Sequence, residues 1–183
     1  SNNPRVDYYA TPDVFRSEKV LVIVASGRGD QCVPGIWSRS LFIQEGLGAG
    51  SMLNYCQTAM ACGYELLLLN EPSLSFDRLE RVWTQSIFAF AAHKIDFLAF
   101  GHVGQYIMNL VVRHPQDTRA RVGRIGLIES SRLEWPQGAR RDPATHDFLS
   151  QCCVNWERSD RFSFGQEIPQ IRVTSHYKPT ILH

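Results

Sequence analysis

From Ile95 to Phe100 the chain is apolar in the manner of a strand, and at Gly101-His102 the run stops. Apolar residues then recur at Tyr106, Ile107, Leu110 and Val111, the spacing of one helix face. A strand that turns sharply into a helix at a glycine is the unit from which α/β sheets are built. Other segments repeat the theme. Lys19–Ala25 is a continuous, largely β-branched apolar run, the pattern of a strand covered on both faces. Glu65–Leu69, between Gly63 and Pro72, reads as a second buried strand, Ile95–Phe100 as a third and Val122–Ile128 as a fourth. Gln170–Thr174 reads as a short last strand.

Helical patterns fall between these runs. Leu53–Cys62 is a helix that Gly63 is placed to end. Leu79, Val82, Trp83, Ile87 and Phe90 follow i, i+3, i+4, i+8, i+11, the clearest amphipathic period in the chain. The helix after Gly101-His102 spans about 105–114. Another spans 142–153, with Asp142 as N-cap and Pro143 at its first position. The expected fold class is therefore α/β, a mostly parallel central sheet with helices on both faces. Residues 1–18, polar and proline-bearing, read as an N-terminal arm, and 19–183 as a single domain.

In such sheets ligands sit at the carboxyl ends of the strands. Here those ends are Ser26-Gly27, Asn70-Glu71, His102-Val103, Glu129-Ser130-Ser131 and Ser175-His176. The turn at 101–103 has the outline of a nucleophile elbow, which presents a catalytic serine in α/β-hydrolases. Valine stands where the serine belongs. Val103, Glu129 and His176 follow the order nucleophile, acid, histidine, and only the first lacks competent chemistry. Gly27 and the backbone around Ser26 match an oxyanion loop. The second elbow glycine is displaced to Gly104, and a valine at φ > 0 costs about 1–3 kcal/mol, which predicts a relaxed turn. No catalytic residue, cofactor or metal is expected. His102 reads as a structural histidine and His114, before Pro115, as a helix end. Two alternatives remain open: a noncanonical hydrolase using Ser130, Ser131 or Ser26 with His176, and an arginine-mediated RNA-binding module.

Composition narrows the setting. The 183 residues are 44 % hydrophobic and 20 % charged, as in an ordinary folded protein. No apolar run approaches the ~20 residues that span a bilayer, and a net charge of +1 gives no global attraction to membrane or nucleic acid. Sixteen of the nineteen basic residues are arginine, and seven fall between Arg113 and Arg141. Trp135, Arg132, Arg140 and Arg141 are the candidate partner contacts there, because tryptophan and arginine anchor interfaces. Five cysteines without metal-ligand spacing predict free thiols in a reducing compartment. The chain opens Ser1-Asn2-Asn3-Pro4, without methionine or signal core, and reads as an excised domain. Ser26-Gly27-Arg28-Gly29-Asp30 starts like a dinucleotide fingerprint, but Cys32 replaces the third glycine and no Gly-Lys-Ser/Thr occurs.

Several strings together resemble the Argonaute-binding Arb-two domain family, an α/β-hydrolase-like group. They are Gly35-Ile36-Trp37-Ser38-Arg39 with Phe42-Ile43-Gln44-Glu45, Cys62-Gly63-Tyr64, Leu68-Leu69-Asn70, Phe100-Gly101-His102, Leu127-Ile128-Glu129-Ser130, Gln151-Cys152-Cys153-Val154-Asn155-Trp156 and the late His176. The resemblance covers about residues 19–177. The family includes a subunit of a fission-yeast Argonaute chaperone complex, C-terminal domains of fungal class II histone deacetylases and an animal nuclear co-transcriptional regulator. Members nearest to a hydrolase read Ala-His-Ser-Tyr-Gly-Gly at the elbow, His-Gly-Ser-Gly at the first strand end, and Asp where Glu129 stands. The resemblance implies an inactive interaction domain of an RNA-silencing, chromatin or RNA-processing assembly, nuclear or nucleocytoplasmic. Its implied partners are proteins of Argonaute, histone-deacetylase or RNA-processing complexes.

Overall fold

The computed structural model describes residues 7–27, 32–72, 74–130, 133, 136, 142–158 and 180–182. Ser131, Arg132, Trp135, Arg140, Arg141, His176 and the strand expected at 170–174 lie outside the described residues. The fold is α/β with a mostly parallel sheet, the class read from the sequence. It divides into two compact units, Ser1–Ile95 and Asp96–His183.

In the first unit, β1 (Tyr9–Ala10), β2 (Lys19–Ala25) and β3 (Glu65–Asn70) lie in the order β1-β3-β2. β2 and β3 run parallel, from Val20 opposite Glu65 to Ala25 opposite Asn70. Val20, Val22, Ile23 and Val24 are fully buried, as a strand with no polar face requires. The segment read as an arm supplies β1, which pairs antiparallel with β3, and Thr11 exchanges hydrogen bonds with the Leu66 backbone. Val14 is buried, so this stretch contributes to the core.

Three helices belong to the same unit. α1 (Arg39–Gly50) went unread because Gly46, Gly48 and Gly50 break its propensity. The chain bends at Gly46, at φ 81°, and folds back so that Gly50 lies against the Phe42 backbone with no room for a Cβ. α2 (Leu53–Ala61) ends before Gly63, whose φ of 79° only glycine adopts without strain. α3 (Phe76–Gln85) is capped by Ser75, whose hydroxyl accepts the Arg78 N–H, and buries Leu79, Val82 and Trp83. The amphipathic run expected to continue to Phe90 breaks at Ser86 into a 3-10 turn, Ile87–Ala89. Ile87 and Phe90 still reach the core, and Phe90 meets Phe15 edge to face at 5.2 Å.

β4 (Lys94–Phe100) leads into the second unit, where α4 (Val103–Arg113), α5 (Pro115–Arg121), β5 (Val122–Ile128), α6 (Pro143–Cys152), β6 (Cys153–Trp156) and β7 (Thr180–Leu182) follow. β5, β6 and β7 pair in parallel, with Leu127 opposite Asn155. The helix expected through Cys153 stops one residue earlier. Cys153 is extended and begins β6, a strand that sequence reading missed. Burial alternates along β4, β6 and the second half of β5. Phe97, Ala99, Ile125, Leu127, Cys153 and Asn155 are buried, while Leu98, Gly126, Ile128 and Val154 are half-buried. The buried side carries the helices: Leu127 packs at Gly104, and the Cys153 sulfur lies 4.0 Å from that of Met108, both on α4.

Candidate functional site

The turn after β4 is indeed relaxed. The left-handed residue is Gly101, at φ 70°, and His102 already has helical angles (φ −61°, ψ −20°). Val103 is therefore the first residue of α4 and is 0 % exposed. A nucleophile must stand out of the turn, and this position points into the core. The glycine requirement has moved accordingly, from the nucleophile's own turn to Gly101 and Gly104.

Ser130 explains Gly104. Its hydroxyl donates to the Gly101 carbonyl at 2.8 Å, and the Gly101 N–H donates to the Ile128 carbonyl at 2.8 Å. A Cβ on Gly104 would collide with the Ser130 Oγ and lie 2.9 Å from its Cβ. Ser130 is 1 % exposed, so its hydroxyl acts as a clasp between the ends of β4 and β5. Glu129 sits at φ 51°, unusual for a residue with a side chain. Its N–H donates to the Trp156 carbonyl at 2.8 Å, and its carboxylate accepts the Arg158 N–H at 2.7 Å. The acid position thus fastens the end of β6. His102 is exposed and meets Tyr106 edge to face at 5.7 Å.

In the first unit, the Ser26 hydroxyl donates to the Glu71 carbonyl at 3.2 Å and accepts the Leu74 N–H at 3.0 Å. It ties the end of β2 to the connection between β3 and α3. Cys32, read from the sequence as a free thiol and as the residue in place of a third loop glycine, completes this strand-end cluster. Its sulfur lies 2.8 Å from the Asn70 Oδ1, and burial pushes its thiol up, against a backbone hydrogen bond from Gly27. The Gly27 N–H, matched to an oxyanion loop above, here faces the cysteine. A thiol held protonated is a poor nucleophile. Asn70 is also occupied on its other side, its amide donating to the Ile36 carbonyl at 3.1 Å.

Glu71 directly follows β3 and is 8 % exposed. Its Oε2 is 2.9 Å from the Arg78 Nη2, while its Oε1 is buried without a hydrogen bond. Burial pushes the carboxyl up, opposed by Arg78 and Arg81 and aided by Asp7. A carboxyl whose folded pKa lies above its unfolded value favours folding at low pH, and that contribution is lost as pH rises through the folded value. The stability of wild type relative to Glu71→Gln should therefore fall as pH rises above the ordinary glutamate range. Urea unfolding at several pH values checks it; a flat or rising difference contradicts it.

Of the arginine-rich stretch, Arg119 pairs with Asp142 at 3.3 Å. Asp142 also accepts the Thr145 hydroxyl and the Ala144 N–H, which hold its carboxyl below the usual range. That arginine links α5 to the cap of α6. All five cysteines are free thiols. Among the described residues no group of three His, Cys, Asp or Glu side chains is placed to hold a metal, and no helix is long and apolar enough to cross a membrane.

Parts of the sequence and the fold have counterparts among known proteins. Residues 1–87 match the Arb2 domain family. The Arb2 match takes in the strings at Gly35–Glu45, Cys62–Tyr64 and Leu68–Asn70, and ends before those of the second unit. The chain is similar in structure to a histone deacetylase from Saccharomyces cerevisiae, with a TM-score of 0.58 at 14 % identity, over 82 % of this chain and 66 % of that one. It is similar also to the histone deacetylase Clr3, with a TM-score of 0.54 at 14 % identity, over 81 % of this chain and 26 % of that one. Likeness at this identity concerns the fold, and the Arb2-matched chain spans less than two thirds of either protein. No curated protein sequence matches it.

Proposed function

We propose that this chain is a catalytically inactive, Arb2-type α/β domain that binds proteins within a nuclear chromatin or RNA-silencing assembly. The carrying observation is Val103: a side chain without a nucleophilic atom, at 0 % exposure, in the first turn of a helix. Two further observations support the reading. The Ser130 hydroxyl and the Glu129 carboxylate are both engaged with backbone groups, and Ser26 is likewise committed to Glu71 and Leu74. The chromatin setting draws on the Arb2 match and on the two structural neighbours, both titled histone deacetylases.

Fluorophosphonate treatment of the full chain tests inactivity: no serine adduct is expected. An adduct that disappears in His176→Ala would establish a serine–histidine hydrolase instead. In-cell crosslinking of the tagged protein tests the binding role. Recovery of chromatin or silencing proteins is expected, whereas a chain that crosslinks to nothing overturns it.

A further inference from the structure

In the first unit, α1 is a helix that packs almost nothing. Every residue from Phe42 to Ala49 is exposed, and Gly50 alone in the helix is buried. Helices in folded proteins draw most of their stability from a packed apolar face, and one this short is marginal without it. The large apolar side chains of α1 nevertheless face solvent: Phe42 is 38 % exposed, Ile43 71 % and Leu47 53 %. α2 extends this surface. The Ser51 N–H donates to the Leu47 carbonyl at 3.2 Å and the Leu53 N–H to the Ser51 hydroxyl at 3.3 Å, while the Asn54 amide donates to the Gly48 carbonyl at 3.2 Å. These bonds set the start of α2 beside the end of α1. Leu53 and Met60, on one face of α2 by the i, i+7 spacing, are 45 % and 54 % exposed. Single exposed leucines are ordinary. Five large apolar side chains on two adjoining helices expose on the order of 500 Å², the size of a functional patch.

We infer that this surface is a homotypic interface, on which a second copy of the chain lays its own α1 antiparallel across the first, with the two-fold axis at Phe42. The inference goes beyond the chromatin reading and stands without it. Charge identifies the occupant. From Gly46 through Tyr64 no side chain is charged, so the patch offers nothing to a partner recognised by charge and nothing that repels its own copy. The charges of α1 itself bracket the axis. Arg39 and Glu45 are exposed and lie three residues to either side of Phe42. An antiparallel pair therefore sets Arg39 of each copy against Glu45 of the other, the self-complementarity that a two-fold contact demands. Area agrees. With the exposed uncharged residues among them, Gln44, Ala49 and Gln57, the five apolar side chains approach the about 800 Å² that each partner gives to a stable interface.

Sedimentation velocity of the full chain, over a concentration series reaching about 100 μM, reads the association. A concentration-dependent dimer is expected. Ile43→Asp should weaken it at least tenfold, and Ile43 is exposed enough for the fold to survive the change. Arg39→Glu and Glu45→Arg each set like charges together twice in the dimer, and each should weaken it about three- to tenfold. Mixing those two variants should restore wild-type association, because both contacts of the mixed dimer then join opposite charges. A chain that stays monomeric throughout, or a dimer that Ile43→Asp leaves unchanged, overturns the interface. A dimer lost in Ile43→Asp but not restored on mixing the charge variants overturns the antiparallel pairing at Phe42. The charge variants keep the test decisive even where Ile43→Asp perturbs folding. A monomeric chain whose crosslinked partner disappears in Ile43→Asp gives the surface to another protein and overturns the second copy as its occupant. A dimer that forms as expected while no chromatin or silencing protein is crosslinked supports this interface and counts against the partner-binding reading alone.

Discussion

Gly104→Ala will destabilise the protein by about 2 kcal/mol, although alanine is the better helix former by about 1 kcal/mol. The added methyl meets the Ser130 Oγ, and its distance from the Ser130 Cβ would be 2.9 Å. Ser130 has little freedom to withdraw, because it is buried and its hydroxyl holds the Gly101 carbonyl at 2.8 Å. Moving it also disturbs the left-handed Gly101, from which α4 is launched. Ser130→Gly alone should cost about 1 kcal/mol, the worth of its hydrogen bond. Combined with Gly104→Ala it removes the collision, so the double variant should be more stable than the sum of the singles by at least about 1 kcal/mol. Denaturant unfolding of the four proteins measures the cycle. Strict additivity would mean that the two side chains do not compete for this space.

That contact shows where sequence reading reaches its limit. The displaced glycine was visible as an anomaly at position 104, but its reason is Ser130, twenty-six positions away and brought close only by the pairing of β4 with β5. The strands themselves were legible because each is a run of one kind: β2 and β5 have the expected bounds, and β3 and β4 differ from them by one residue. β6 was not. Cys153 follows the helix directly, with no glycine or proline between, and its extended backbone comes from pairing with Ile125. α5 escaped for the opposite reason. Its seven residues are mostly polar, and only Thr118 is buried, so they carry no apolar period. β1 is two residues long, below any pattern, and depends on β3 for its hydrogen bonds.

The candidate site divides in the same way. The positions Ser26, Asn70, Val103 and Glu129 were legible as strand ends, since a change from apolar to polar residues marks them. Their roles were not. The Ser130 hydroxyl on the Gly101 carbonyl and the Glu129 carboxylate on the Arg158 N–H both join groups twenty-nine positions apart, which no local pattern announces. Cys32 is a similar case. Its spacing put it in the loop after the first strand but gave it no partner, and the fold places its sulfur against Asn70 and the Gly27 N–H.

Val103→Ser should restore the missing atom without restoring a hydrolase. In a working elbow the serine stands on a strained residue at the tip of the turn, open to substrate. Here the positive φ lies two residues earlier, at Gly101, and position 103 is fully buried in the first turn of α4. The new hydroxyl would replace two methyl groups in packed surroundings, costing about 2 kcal/mol through lost burial and a buried polar group. Its orientation toward the core leaves no path for an acyl carbonyl to reach within the ~3 Å that attack requires. The expected variant is less stable than wild type, folds, and takes up no fluorophosphonate. Adduct formation at position 103 that requires His176 would show that one substitution separates this turn from an active elbow. The absence of an adduct, with the thermal transition lowered, would show that the geometry of the turn, and not only the identity of residue 103, keeps a serine there from reacting.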